Sequence, residues 1–217
     1  MYDYKRVTIV CGHYGSGKTN VAVNMAYDLN AKGKKVNIAD LDIVNPYFRT
    51  KDSAKGFEKA GINLICSDFA CSNLDIPALP QEIYALTDDR SRYAVMDIGG
   101  DDRGAFVLGR LAPKILEEND YDMLFVFNKY RPLTPDAQSA LEVMGEIEAA
   151  SGIKFTGIIN NSNIGEETVP QDLINSYDEV NKLSALSKLP VVLTTAKKTM
   201  AEQMEDVFPL SLQTKII

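Results

Sequence analysis

The stretch KRVTIVCGHYGSGKT, residues 5–19, decides the fold of this chain. Its first half is a short apolar, β-branched run, typical of a buried strand. Its second half, from Gly12 to Thr19, fits the spacing G-x-x-x-x-G-K-[ST]. The glycines let the backbone turn tightly and aim several N–H groups at one point, in front of the helix that follows. The stretch therefore predicts a phosphate-binding loop; the alternative is a glycine-rich turn with an incidental Lys-Thr pair.

The loop residues have distinct expected tasks. Lys18 would bring a mobile cation to the β- and γ-phosphates of a nucleotide, and the hydroxyl of Thr19 would ligate Mg²⁺. The residues expected to line the nucleotide are Gly12, His13, Tyr14, Gly15, Ser16, Gly17, Lys18, Thr19 and Asn20.

Seven short apolar runs alternate with helical stretches along the chain. The runs cover residues 5–11, 34–40, 61–66, 93–99, 122–128, 154–160 and 189–195. This alternation predicts a doubly wound, mostly parallel sheet of about seven strands with helices on both faces, a three-layer, Rossmann-like α/β fold. The length of 217 residues suits a single domain over residues 1–217.

Four helices are expected between these strands. Residues 17–32 place Val21, Met25 and Leu29 on one core-facing stripe, and Gly33 supplies a stop signal. A second helix should begin at an N-cap on Thr134 and run to Gly152, and a third should follow a capping box over residues 168–171. A further helix is expected over residues 80–89.

Acidic residues follow two of the predicted strands. Asp97 ends the fourth strand, where it could hold Mg²⁺ through water; the alternative is a turn with a surface aspartate. Asp42 and Asp40 follow the second strand, and a carboxylate there could orient or deprotonate an attacking water. Asp42 is the first choice for this task and Asp40 the second; the alternative is a helix-capping aspartate. Together with Lys18 they are the candidate catalytic residues.

Composition excludes some classes of function. The net charge of −7 and the sequence pI of about 4.8 argue against nucleic-acid binding. No apolar run approaches the roughly 20 residues that span a membrane, and no membrane role is expected. Three cysteines, Cys11, Cys66 and Cys71, do not form a disulfide framework, so a cytoplasmic location is expected. Cys66 and Cys71 could bind a metal in a dimer, but buried, inert thiols fit the spacing better.

The phosphate loop, the Asp40/Asp42 element and the Asp97-x-Gly-Gly turn together resemble the MinD/ParA branch of the SIMIBI P-loop NTPases. This branch includes the nitrogenase iron protein, the carbon monoxide dehydrogenase nickel-insertion ATPase and the cobyrinate diamide synthases. Its loop usually reads K-G-G-x-G-K-[ST], whose first lysine reaches across a dimer to the partner's nucleotide. His13 stands at that position here. Our hypothesis is that His13 partly replaces the lysine and gives a slower or differently controlled ATPase; the alternative is a loop residue without a catalytic part.

The resemblance also implies ligands and a function. Asn160 and Asn161 match the position at which the family reads the base, and the family usually binds ATP. The run 128–131 lacks the aspartate of the guanine signature N-K-x-D. Arg49, Arg103 and Arg131 are further possible sources of transition-state charge.

The function implied is an ATP- and Mg²⁺-dependent ATPase that acts as a dimeric switch. An unidentified protein partner would read its state, in metalloprotein maturation or in positioning. One alternative is a small-molecule kinase or ATP-dependent ligase, for which residues 67–92 and 101–118 are the candidate pocket segments. Another is a nucleotide-binding module without turnover.

Overall fold

A parallel sheet of eight strands forms the centre of the protein. The computed structural model describes residues 2–41, 53–66, 81–99 and 102–212, with the backbone alone at residues 66, 81, 102 and 103. The strands are β1 Val7–Cys11, β2 Val36–Leu41, β3 Asn63–Cys66, β4 Tyr93–Ile98, β5 Tyr121–Phe127, β6 Gly157–Asn160, β7 Val191–Lys197 and β8 Val207–Leu210. Their order across the sheet is β3-β2-β4-β1-β5-β6-β7-β8. The phosphate loop therefore follows a strand at the middle of the sheet.

Helices connect these strands. They are α1 Lys18–Ala31, α2 Ala54–Ala60, α3 Ala85–Asp88, α4 Asp102–Glu118, α5 Ala137–Ser151, α6 Pro170–Ser187 and α7 Lys198–Ala201. Short 3₁₀ helices cover Gln81–Tyr84 and Gly165–Glu167. The helix expected over residues 80–89 is thus a 3₁₀ turn followed by the single turn of α3.

The two faces of the sheet carry separate apolar cores. Side chains from α4, α5 and α6 pack on the face that presents Ile9 and Phe125. Side chains from α1 and α2 pack on the opposite face, which presents Val10 and Val126. Successive residues of a strand point to opposite faces, so each central strand contributes to both cores. The doubly wound, three-layer α/β fold is confirmed.

Helix α1 follows the sequence pattern closely. Val21, Met25 and Leu29 are buried against the sheet, as the four-residue spacing predicts. The helix ends at Ala31, and Gly33 takes a φ of 75°, the left-handed conformation that glycine accepts without strain. The predicted stop signal therefore acts where expected.

Two predicted helix starts are wrong by one or two residues. Thr134 closes the turn before α5, because its N–H donates to the carbonyl of Arg131 at 3.1 Å. The N-cap is Asp136 instead, whose Oδ1 accepts from the N–H of Ser139 at 2.8 Å. At α6 the N-cap is Val169, whose N–H donates to Asp172 Oδ2 at 2.9 Å. A carboxylate therefore takes the capping role in both places.

Strand β8 and helix α4 do not appear in the sequence prediction. β8 lies at the edge of the sheet, where Pro209 is tolerated because one side of the strand needs no ladder hydrogen bond. α4 contains Pro113, and its buried residues Leu108, Leu111 and Ile115 form the stripe that packs on the sheet. The segment 102–118 is consequently a core-covering helix.

Candidate functional site

The segment between β1 and α1 forms a cradle of backbone. Gly12, Gly15 and Gly17 have φ values of 152°, 78° and 92°, all in the region that favours glycine. The N–H of Ser16 donates to the carbonyl of His13 at 3.1 Å, which closes the loop on itself. Gly17 is the N-cap of α1, so the positive end of the helix dipole lies at the base of the loop. These features suit an anion.

Lys18 and Thr19 form the first turn of α1, and both side chains are buried. Lys18 Nζ lies 3.5 Å from the carbonyl oxygen of His13, so the ammonium is folded back over the loop. The hydroxyl of Ser16 is buried and has no hydrogen-bond partner within the described ranges. A buried polar group without a partner is costly, and an anion in the cradle would satisfy it. The loop residues therefore fit a polyphosphate.

One carboxylate lies on the strand next to β1, and a second lies one strand further away. Asp97 in β4 is the register partner of Val10 in β1 and of Asp40 in β2. In-register residues of parallel strands point to the same face, so both carboxylates share the face covered by α1. Asp97 is fully buried, and Asp40 is nearly so. Carboxylate and hydroxyl oxygens are ligands that Mg²⁺ accepts beside phosphate and water, so Asp97 and Thr19 fit a magnesium site.

The remaining loop residues face outward to different degrees. Tyr14 is 54% exposed, and His13 is half-buried with its Nδ1 3.1 Å from the carbonyl oxygen of Tyr14. Asn20 lies on α1 and its carbonyl accepts from Asn24 Nδ2 at 2.7 Å. Asp42 lies outside the described residues, so its predicted role stays a prediction.

The two asparagines that end β6 are buried in a polar network. Asn160 Nδ2 donates to Ser176 Oγ at 2.9 Å, and Asn160 Oδ1 accepts from the N–H of Ser162 at 3.2 Å. Asn161 Nδ2 donates to the carbonyl of Ser16 at 2.7 Å, and its Oδ1 accepts from Thr195 Oγ1 at 2.7 Å. Each amide therefore already uses at least one N–H and one oxygen lone pair within the protein. As placed, Asn161 links the phosphate loop to β7.

Replacing Asn161 with Ala tests this bracing. We expect a loss of about 1–3 kcal/mol in the free energy of unfolding, because the carbonyl of Ser16 and the hydroxyl of Thr195 lose a buried partner. If bracing is the main role, the affinities for ATP and GTP should fall by similar factors in a titration with each nucleotide. A selective loss of ATP would instead assign Asn161 to base recognition.

Of the three cysteines, Cys11 is the one whose side chain the structure describes. Cys11 is buried beside the loop, and burial raises the pKa of its thiol, which fits the predicted inert core residue. Cys66 ends β3 with its side chain undescribed, and Cys71 lies outside the described residues. Within those ranges no group of three or more His, Cys, Asp or Glu side chains is placed to hold a metal ion.

In the described part of the chain, no helix has the length and apolar character to cross a membrane.

A comparison with known families agrees with this geometry. The profile described as "CobQ/CobB/MinD/ParA nucleotide binding domain" matches residues 7–205, nearly the whole chain. The chain belongs to this family. It is therefore a P-loop nucleotide-binding protein, and the loop from Gly12 to Thr19 is its P-loop. No curated protein sequence matches the chain.

Solved structures share the fold of this family member at low sequence identity. The signal recognition particle receptor FtsY from Elizabethkingia anophelis, in complex with GDP, is 16% identical with a TM-score of 0.51, covering 98% of this chain and 61% of that one. FtsY from Thermotoga maritima is 18% identical with a TM-score of 0.55, covering 94% and 65%. FlhF complexed with GTP and Mg²⁺ is 16% identical with a TM-score of 0.54, covering 92% and 69%. The chain spans less than two thirds of the length of both FtsY proteins.

The sequence names Arg131 as a possible source of transition-state charge, but it does not show where this side chain lies. It belongs to the loop after β5, and its side chain lies against Gly15 of the P-loop. Thr195 also belongs to the site, because its hydroxyl donates to Asn161 Oδ1 at 2.7 Å. Neither contact is signalled locally, since each joins residues from distant parts of the chain.

Proposed function

We propose that this chain is a Mg²⁺-dependent ATPase that works as a nucleotide-driven switch between monomer and dimer. The observation that carries the proposal is the P-loop with Lys18 and Thr19 beside the buried carboxylate of Asp97. Family membership supports nucleotide binding, and the lack of a guanine-type aspartate in residues 128–131 supports ATP. FtsY and FlhF are GDP- and GTP-bound in their structures, so ATP and GTP both belong in every assay.

The proposal assigns a role in ATP binding or hydrolysis to several residues of the chain. Backbone N–H groups of the P-loop bind the phosphates, and Lys18 stabilises the charge that develops on them. Thr19 and Asp97 would hold Mg²⁺, which would supply positive charge to neutralise the phosphates. The carboxylate of Asp42, or that of Asp40 at the end of β2, orients the attacking water.

Exposed apolar side chains on the nucleotide edge support pairing of two copies. They lie on loops that follow β1, β5 and β6, all at the carboxyl edge of the sheet. These residues are Tyr14 at 54% exposure, Leu133 at 63%, Ile164 at 47% and Val169 at 50%. Apolar groups clustered at one edge are typical of a protein-binding surface. A second copy that closes over the nucleotide would cover them.

A mass measurement in solution tests the switch. We expect the chain to be monomeric with Mg·ADP and to double its mass with Mg²⁺ and a non-hydrolysable ATP analogue, as read by light scattering. Leu133→Asp should suppress the doubling, because it buries a charge in the proposed interface. An unchanged mass with both nucleotides would reject the dimer. A separate measurement of ATPase activity would then decide whether the chain hydrolyses ATP as a monomer.

Phosphoryl transfer to a small molecule has less support. One of its two pocket segments, residues 101–118, contains the core-covering helix α4. ATP turnover without an added acceptor would favour the switch, and strict dependence on a metabolite would favour a kinase or ligase. Tight ATP retention without phosphate release would identify a nucleotide-binding module. A cytoplasmic location and a partner in metalloprotein maturation or positioning remain part of the proposal.

A further inference from the structure

The side chain of Arg131 lies directly against the glycine-rich backbone of the P-loop. Arg131 lies so close to Gly15 that a methyl group built on the glycine would be 3.6 Å from Arg131 Cδ and 3.7 Å from Arg131 Nε. Lys18 Nζ lies at the carbonyl of His13, two residues before Gly15. Two cationic side chains therefore flank the same part of the loop, one from α1 and one from the loop after β5.

The side chain of Arg131 has a buried hydrogen-bond donor without an acceptor among the described residues. Its Nε is buried and has no hydrogen-bond acceptor in the described part of the chain, and no carboxylate there forms an ion pair with this side chain. A buried cationic N–H without an acceptor lowers the stability of the folded protein, and buried arginine donors are rarely left unsatisfied. Beside a P-loop, the anion that satisfies it is a phosphate.

The loop that carries Arg131 is held firmly. The N–H of Arg131 donates to the carbonyl of Asn128 at 3.1 Å, and its carbonyl accepts from the N–H of Thr134 at 3.1 Å. Asn128 Oδ1 accepts from the N–H groups of Tyr130 and Asn163, at 3.0 and 3.2 Å. The hydroxyl of Tyr130 donates to the carbonyl of Asp172 at 2.7 Å. The backbone of Arg131 is thus fixed before any ligand binds, which lowers the cost of using its charge.

We propose that Arg131 supplies, from within the same chain, the positive charge that stabilises the terminal phosphate of a bound nucleoside triphosphate. In this family's loop that charge ordinarily comes from a lysine, and His13 stands in its place here. The inference rests on the proposed function. Of the three arginines considered from the sequence, Arg131 is the one whose side chain the structure describes, and it lies against Gly15 of the P-loop.

The test compares Arg131→Ala and Arg131→Lys with the parent chain. Arg90→Ala is the matched control, because Arg90 is exposed and precedes β4 at the opposite edge of the sheet. Affinities for Mg²⁺ with a non-hydrolysable ATP analogue and for Mg·ADP are measured by calorimetry, and turnover by phosphate release. Melting by circular dichroism checks that each variant is folded.

The proposal predicts a selective effect on the triphosphate. Arg131→Ala should lose roughly tenfold or more in affinity for the ATP analogue, with little change for ADP, and turnover should fall roughly 100-fold or more. Arg131→Lys should lie between the parent and Arg131→Ala, and guanidinium ion at non-denaturing concentration should restore part of the turnover of Arg131→Ala. Arg90→Ala should behave as the parent.

Other results overturn it. If Arg131→Ala matches the parent, or loses ATP and ADP equally, then Arg131 does not act on the terminal phosphate. If the parent chain itself neither binds nor hydrolyses nucleotide, the proposed function fails and not this inference alone.

Discussion

Lys18→Ala should abolish most of the ATPase activity, with a fall in turnover of roughly 10²- to 10³-fold. The physical reason is that Lys18 is the cation of the P-loop itself, buried at the first turn of α1 with its Nζ over the loop. Phosphate release under saturating Mg·ATP measures the effect.

Lys154→Ala is the matched control for this change. Lys154 is exposed, pairs with Glu148 at 2.6 Å, and precedes β6 at the edge of the sheet away from the P-loop. An exposed pair of this kind contributes little to stability, so turnover should remain at the parent level. Equal activity of Lys18→Ala and the parent would remove Lys18 from the mechanism.

Gly12→Ala should have the largest effect on stability, with a loss of about 2–4 kcal/mol in the free energy of unfolding. A Cβ at Gly12 would lie 2.7 Å from the carbonyl oxygen of Val126 in β5 and 3.1 Å from Ser16 Oγ. The first contact is with backbone of a central strand, which cannot retreat without breaking the ladder. The φ of 152° adds strain for any side chain. Denaturation by urea measures the loss, and nucleotide affinity should fall with it.

Gly145→Ala makes the same chemical change as Gly12→Ala, but we expect it to raise the stability of the protein. Gly145 lies within α5, and a Cβ there would meet no atom within 4 Å. Alanine in a helix is favoured over glycine by about 0.5–1 kcal/mol, so the variant should be more stable than the parent. If Gly12→Ala and Gly145→Ala change the free energy of unfolding by the same amount, the proposed steric clash between a Cβ at Gly12 and β5 is contradicted.

The features predictable from sequence are those set by local pattern. The P-loop needs a strand, a glycine spacing and a helix, and all three lie within residues 7–31. The buried stripe of α1 follows from four-residue spacing alone. In contrast, Pro113 and the glycines of α4 resemble breaker signals, and only packing against the sheet shows that the helix continues through them.

Long-range contacts account for what the sequence could not predict. One difference is local: Thr134 has the right residue type for an N-cap, but it closes the turn that begins three residues earlier at Arg131. The contact of Arg131 with Gly15 and the bond from Asn161 to Ser16 both join the P-loop to later strands of the sheet. Such contacts depend on strand order, and the order places β5 directly beside β1.

The most direct test of the central claim is a calorimetric titration of the purified chain with ATP, and separately with GTP, in the presence of Mg²⁺. The structure predicts saturable binding of one nucleotide per chain, weakened strongly in Lys18→Ala. Heat of binding that is absent for both nucleotides in a folded chain would contradict the account.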